Sequence, residues 1–182
     1  VQVLVKKIVL ALTLALSLSL QAQTVKIAAA SNLRFVLDEI KVKYALVHPK
    51  AKVIVNFGAS GALVQQITNG ADFDLFMAAD KMYPDKLKSQ GIVSGKVQTY
   101  AFGKLVLWSN TVDVSKGLNS LTDEAVKRIA IAKPDVAPYG ARAVECLKYY
   151  KLFDKVKDKI VYADNIAQTA QFAQTGNAEI GF

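Results

Sequence analysis

From Val25 onward the apolar positions follow two alternating rhythms. VKIAAA (25–30) is apolar on nearly consecutive positions, the pattern of a strand covered on both faces. Leu33, Val36, Leu37, Ile40 and Tyr44 then recur at helical spacing, and VIVNF (53–57) returns to strand. Leu63, Val64 and Ile67 mark a second helix closed by Asn69 and Gly70, DLFMAA (74–79) predicts a third strand, and Asp80 opens a helix toward Gly91. KLVLWS (104–109), RIAIAK (128–133) and KIVYAD (159–164) predict three more strands. Helices are expected over 120–127, 140–151 and 165–175, with Gly176 ending the last. A period that switches between two and 3.6 is the mark of β-α-β units, so the class is α/β with largely parallel sheets. QTYAFGKLVLW (98–108) runs from loop to strand with no helix between. It predicts a change of domain near 100–104, giving two sheets with a ligand cleft between them at the carboxyl ends of the strands.

The start of the chain follows another pattern. Lys6 and Lys7 precede the apolar run from Ile8 to Leu20, followed by LQAQT, the layout of an export signal over residues 1–23 with a cut after Ala22 or Gln23. The run falls short of the roughly 20 residues that span a bilayer.

Composition adds little to this picture. With 52% hydrophobic and 21% charged residues among 182, the chain reads as an ordinary folded protein rather than a disordered one. Losing the two leader lysines takes the formal charge from +8 to +6. The remaining lysines are scattered along helical faces, which describes a solvated surface better than a nucleic-acid or membrane footprint. Cys146 is the single cysteine, so no intramolecular disulfide can form, and AVECLKYY reads as a helix that uses it as a small hydrophobe. One cysteine and one histidine, His48, do not assemble a zinc site or a Cys/His nucleophile pair.

The candidate chemistry lies at helix mouths. In NFGASGALVQQI (56–67) small residues separate a strand from a helix. Ser60 suits an N-cap, and Gly58 and Gly61 leave the backbone uncovered for something to approach. Unpaired amides and the positive end of a helix together favour an anion. VKIAAASNL repeats the arrangement, with Ser31 or Asn32 placed to cap. APYGA leads into a third helix through Tyr139, and ADNIAQ into a fourth through Asn165 and Ile166. Four such turns meeting at a cleft would form a nest of N–H and O–H donors.

Enzyme readings fit less well. GASGA approaches the G-x-S-x-G nucleophile elbow but ends in Ala62, and His48 precedes the serine instead of following it. No Gly-Lys-Ser/Thr follows, as a phosphate loop would need. Asp72, Asp74 and Asp80 bracket an apolar strand, and Asp80 is explained as a helix cap. Hydrolysis remains the distant alternative.

Taken together, AAASNLRFVLDEI, FGASGALVQQI, GADFDLFMAADKMYPDKL, KPDVAPYGARA and GNAEIGF resemble the periplasmic molybdate-binding proteins of ABC importers, over essentially the whole mature chain. The resemblance implies a two-lobed periplasmic-binding-protein fold, with a first lobe over 24–102 and a second over 103–182. It implies a periplasmic monomer that captures molybdate or tungstate and hands it to an ABC permease, with no enzymatic activity, no cofactor and no nucleic-acid partner. Molybdenum would be held as the oxyanion, not as a free cation. By motif, Ser31 and Ser60 would give hydroxyl and amide donors from the first lobe, and Tyr139 and Ile166 their backbone amides from the second. Family members continue past the position of Phe182 through elements that return to the first lobe. A relative of the same fold binding sulfate, phosphate or a small carboxylate is the alternative. A binder of sulfate or a small carboxylate would more often aim an arginine into the cleft; Arg34 and Arg142 both lie just inside donor helices, and Asp164 lies near a donor loop where it could serve as an acceptor.

Overall fold

The structure, a computed structural model, describes residues 24–182; the export signal expected over 1–23 lies outside the described residues. Two three-stranded parallel sheets organise the chain. The first contains β1 (Thr24–Ala30), β2 (Lys52–Gly58) and β3 (Leu75–Met77) in the order β2-β1-β3. β1 and β2 run in register from Thr24 opposite Lys52 to Ala30 opposite Gly58. Its helices are α1 (Arg34–Val47), entered through a 3-10 turn at Ser31–Leu33, α2 (Ser60–Thr68) and α3 (Met82–Ser89). The second sheet contains β4 (Ile129–Ala132), β5 (Ile160–Ala163) and β6 (Ile180–Gly181) in the order β5-β4-β6. Its helices are α4 (Pro138–Tyr149), the single turn α5 (Phe153–Val156) and α6 (Ile166–Gln174). Each sheet with its helices forms one lobe of an α/β protein.

The central strands are buried as their apolar runs require. Ala28 and Ala29 of β1 and all four residues of β4 have no exposed surface. Around β4, Leu121, Val126, Ile129, Ile131, Leu147 and Ile180 form the core of the second lobe. The first lobe's cluster is smaller, with Ile27, Ala29, Leu33 and Leu37. Gly140 is forced by packing: a Cβ there would collide with the Ala132 carbonyl and lie 2.6 Å from its carbon, so α4 rests directly on the end of β4.

Two expected elements take other forms. KLVLWS is extended but joins a sheet only through Trp108, which exchanges hydrogen bonds with Gly181 at 2.9 and 2.8 Å. Its neighbour β6 is only two residues long and pairs with β4 on its other side, so it offers the segment a single bridge. The helix expected over 120–127 is a 3-10 segment, Gly117–Thr122. Asp123 ends it by accepting the Ala125 amide on its own side chain and the Val126 amide on its carbonyl, the local competition by which Asp breaks helices.

Candidate functional site

Both sheets point the carboxyl ends of their strands at one seam. Ser31 and Ser60 follow β1 and β2, Tyr139 follows β4 and Ile166 follows β5. All four line a single cavity of about 10 Å³ together with Asn32, Gly58, Ala79, Pro138 and Asn165, about the space of one water. No charged side chain is among its lining residues. Ser31 is 4% exposed and Ser60 fully buried.

The donors are prepared in different ways. Ser60 is not the cap expected from sequence. Ala59, with extended backbone, takes the N-cap position, no side chain caps α2, and Ser60 is its first helical residue. The serine therefore projects sideways, where its Oγ accepts the Ala79 amide at 3.0 Å from the loop after β3. With an acceptor site of the hydroxyl engaged there, its proton is left to donate. Neither Ser31 nor Asn32 caps by side chain either, because the turn begins one residue earlier at Ala30; the Ser31 hydroxyl has no hydrogen-bond partner among the described residues.

In the second lobe Asn165 does cap. Its Oδ1 accepts from Ala167 at 3.0 Å and Gln168 at 3.2 Å, passing over Ile166. The amides of Tyr139 and Ile166 have no acceptor among the described residues. Pro138, which lacks an N–H, occupies the first turn of α4, so Tyr139 carries the first amide of that helix.

The glycines diverge from expectation. A Cβ at Gly58 would meet only Leu63, at 3.2 Å. What approaches Gly61 is the opposite lobe: its amide donates to the Val136 carbonyl at 2.8 Å. Ala59 and Ala62 of the first lobe and Ala132, Val136 and Ala137 of the second pack into one apolar seam around that bond. Outside the seam, Arg142 reaches across to Asp80 at 3.0 Å while holding Glu145 at 2.7 Å.

The ionisable groups in question turn elsewhere. Arg34 lies over the Phe57 ring at 4.6 Å, Arg142 is paired as above, and Asp164 pairs with Lys133 at 2.6 Å. None of the three lines the cavity. A wider groove of about 980 Å³ beside β3 shares Asn32, Ala79 and Tyr139 with it. Its acidic and basic side chains are spread along the walls, and no set of donors converges there comparable to that in the small cavity.

Sequence reasoning missed Ala79 and Val136. Each acts through a backbone atom supplied from a distant part of the chain, so residue type carries no signal of the role.

The four donor turns thus share one small cavity at the seam of two α/β lobes. Residues 25–182 match the family described as bacterial extracellular solute-binding protein, and the chain belongs to that family. It is 43% identical over 166 residues to the molybdate-binding protein ModA of Azotobacter vinelandii, covering 89% of this chain and 65% of that protein. It is 44% identical over 130 residues to that of Rhodobacter capsulatus, covering 69% of this chain and 50% of the relative. The solved periplasmic molybdate-binding protein of Azotobacter vinelandii superposes with a TM-score of 0.81 at 34% identity, covering 87% of this chain and 70% of that one. The chain thus spans one half to two thirds of the length of these two curated relatives.

Proposed function

We propose that this chain is the ligand-binding part of an extracytoplasmic solute-binding protein that captures molybdate or tungstate and delivers it to an ABC permease. One observation carries the reading: Ser31, Ser60, Tyr139 and Ile166, from four strand-to-helix turns, line one cavity bounded by no charged side chain. The relatives named molybdate-binding agree with it.

Capture then depends on neutral donors. The hydroxyls of Ser31 and Ser60 and the amides of Tyr139 and Ile166 donate to the oxygens of a dianion. Helix mouths supply the positive potential in place of a counterion. Hydrogen bonds to an ionised acceptor contribute about 1.5 to 3 kcal/mol each, so a few account for tight binding. A lining that only donates disfavours phosphate, which near neutral pH carries a proton in need of an acceptor. Asp164, the acceptor in question, is engaged by Lys133 outside the lining. Sulfate is as bare as molybdate and must be rejected by size. A small carboxylate is disfavoured because neither arginine faces the cavity.

The lobes are taken to divide at 102/103, where the extended segment carries the chain across. The family description supports a location outside the cytoplasm; we place the protein in the periplasm, as a monomer without enzymatic or nucleic-acid function, its partner being the permease. Calorimetric titration with molybdate, tungstate, sulfate and phosphate tests the reading. Binding of the first two in preference to the others is expected, and failure of all four to bind would overturn it.

A further inference from the structure

The bond between Gly61 and Val136 is more demanding than the rest of the seam. A Cβ at Gly61 would stand 2.9 Å from the Val136 Cα, 3.0 Å from its carbonyl oxygen and 3.2 Å from Cε1 of Tyr83. Two of these three neighbours are backbone atoms of the other lobe, which cannot rotate aside as a side-chain tip can. Alanine at 61 therefore forces the lobes themselves to separate by some tenths of an ångström. Gly61 is not among the cavity-lining residues, although Ser60 before it is. Its amide donates across the seam, to the Val136 carbonyl at 2.8 Å.

The outer edge of the seam carries a second inter-lobe contact. Asp80, at the mouth of α3, meets Arg142, on the first turns of α4, at 3.0 Å. Neither lines the cavity. Both contacts adjoin Ser60: Gly61 follows it in the chain, and Ala79, next to Asp80, donates the amide that its hydroxyl accepts.

We propose that Gly61 is a positioning residue for solute retention: its bare amide and missing Cβ seat the mouth of α2 against Val136, with Asp80 and Arg142 as the outer clasp. This pair of contacts sets how fast a bound guest leaves. The proposal rests on the solute-binding reading of the cavity. The seam as it stands leaves about 10 Å³ beside the donors, the space of one water, so a four-oxygen anion enters only while the lobes are apart and encounter gains nothing from a closed seam. Retention does, because a guest escapes in proportion to the open fraction. Loosening the seam should therefore raise the dissociation rate without slowing association, and leave anion preference alone.

The test uses Gly61→Ala and Arg142→Ala in the full chain, with radiolabelled molybdate as probe. Dissociation is measured by chase, affinity by calorimetry, and association is their quotient. Gly61→Ala should speed release by about tenfold or more and leave association no slower than in the unaltered chain, with the molybdate-to-tungstate preference unchanged. Arg142→Ala should act in the same direction but less, and Arg142→Lys should recover part of the loss. Seam geometry is read separately by pulsed EPR between labels at Lys88→Cys and Lys155→Cys, exposed sites on the two lobes, in a Cys146→Ala background. Without any anion present, Gly61→Ala should lengthen that distance. Unchanged release and distance would overturn the proposal, and so would an affinity loss carried by association or by altered preference. Should Gly61→Ala fail to fold, Arg142→Ala decides by the same two readouts. If the unaltered chain binds no oxyanion, the solute reading fails, and the EPR comparison still decides whether Gly61 holds the lobes together.

Discussion

At the scale of single residues, the two serines are buried hydroxyls with different surroundings. Ser60 is held by the Ala79 amide at 3.0 Å, whereas Ser31 has no described partner and is free to turn. Replacing Ser60 by Ala removes a donor to the guest and also strips the Ala79 amide of its acceptor. We expect molybdate affinity to fall by about 1 to 3 kcal/mol. Ser31→Ala removes one donor and orphans nothing, so its loss should lie at the lower end of that range. Calorimetry on both variants checks the order; equal or reversed losses would show that the Ala79 contact does not matter to the site. Tyr139 and Ile166 contribute main-chain amides, so Ile166→Val should leave affinity unchanged in the same titration.

At the scale of elements, the mouth of α3 couples a helix-start hydrogen bond to the clasp. Asp80 accepts the Met82 amide at 2.9 Å. That hydrogen bond, followed by the Arg142 guanidinium, holds its carboxyl below the usual carboxylate value, while partial burial works the other way. A depressed carboxylate contributes stability that is present above its unfolded pKa of about 3.9 and is lost as pH falls through the folded value. Urea midpoints should thus decline below about pH 4 more steeply for the unaltered chain than for Asp80→Asn, and the two curves should converge at the acid end. Parallel curves would mean that the carboxylate does not feel the helix mouth in the fold. The same turn shows what a sequence can tell. Asp80 announced the start of α3 but not its cap: Lys81 takes the N-cap position, and Asp80 accepts the Met82 amide from one residue earlier, whereas Asn165, read only as a helix start, caps α6 with its side chain. Ser60 misled because the backbone begins α2 one residue earlier than its side chain suggests. Gly61 misled further, since its missing side chain was legible but the Val136 carbonyl that fills the space was not. Helices α1, α2, α3, α4 and α6 and strands β1 to β5 were legible from periodicity; the two-residue β6 was not. Reading the strands as parallel is what suggested that the four donor turns meet. KLVLWS looked like a strand because its leucines alternate, but a ladder needs a partner, and partners are not written in the segment itself.

At the scale of the whole molecule, burial among the described residues is unequally shared. The second lobe's cluster joins ten buried residues among those described and the first lobe's four. α1 leaves Phe35 87%, Leu46 79% and Val47 71% exposed, and β3 leaves Leu75 47% exposed on a strand paired on one side only. Each buried aliphatic side chain contributes about 1.5 to 3 kcal/mol of transfer free energy, so the difference in core size is large against a typical stability of about 5 to 15 kcal/mol. In a protein made of these 182 residues alone, the first lobe should therefore open before the second. Native-state hydrogen exchange read by mass spectrometry should show β4, α4 and α6 protected to the limit of global unfolding, with α1 and β3 exchanging through a cheaper local opening. Ser31 and Ser60 sit on the weaker lobe, while Tyr139 and Ile166 sit on the stronger one. A guest bridging all four should consequently raise protection mainly in α1, α2 and β3 when molybdate is added. Uniform protection of both lobes in the absence of anion would contradict the core asymmetry, and protection gained only in the second lobe would show that the guest does not bridge the seam.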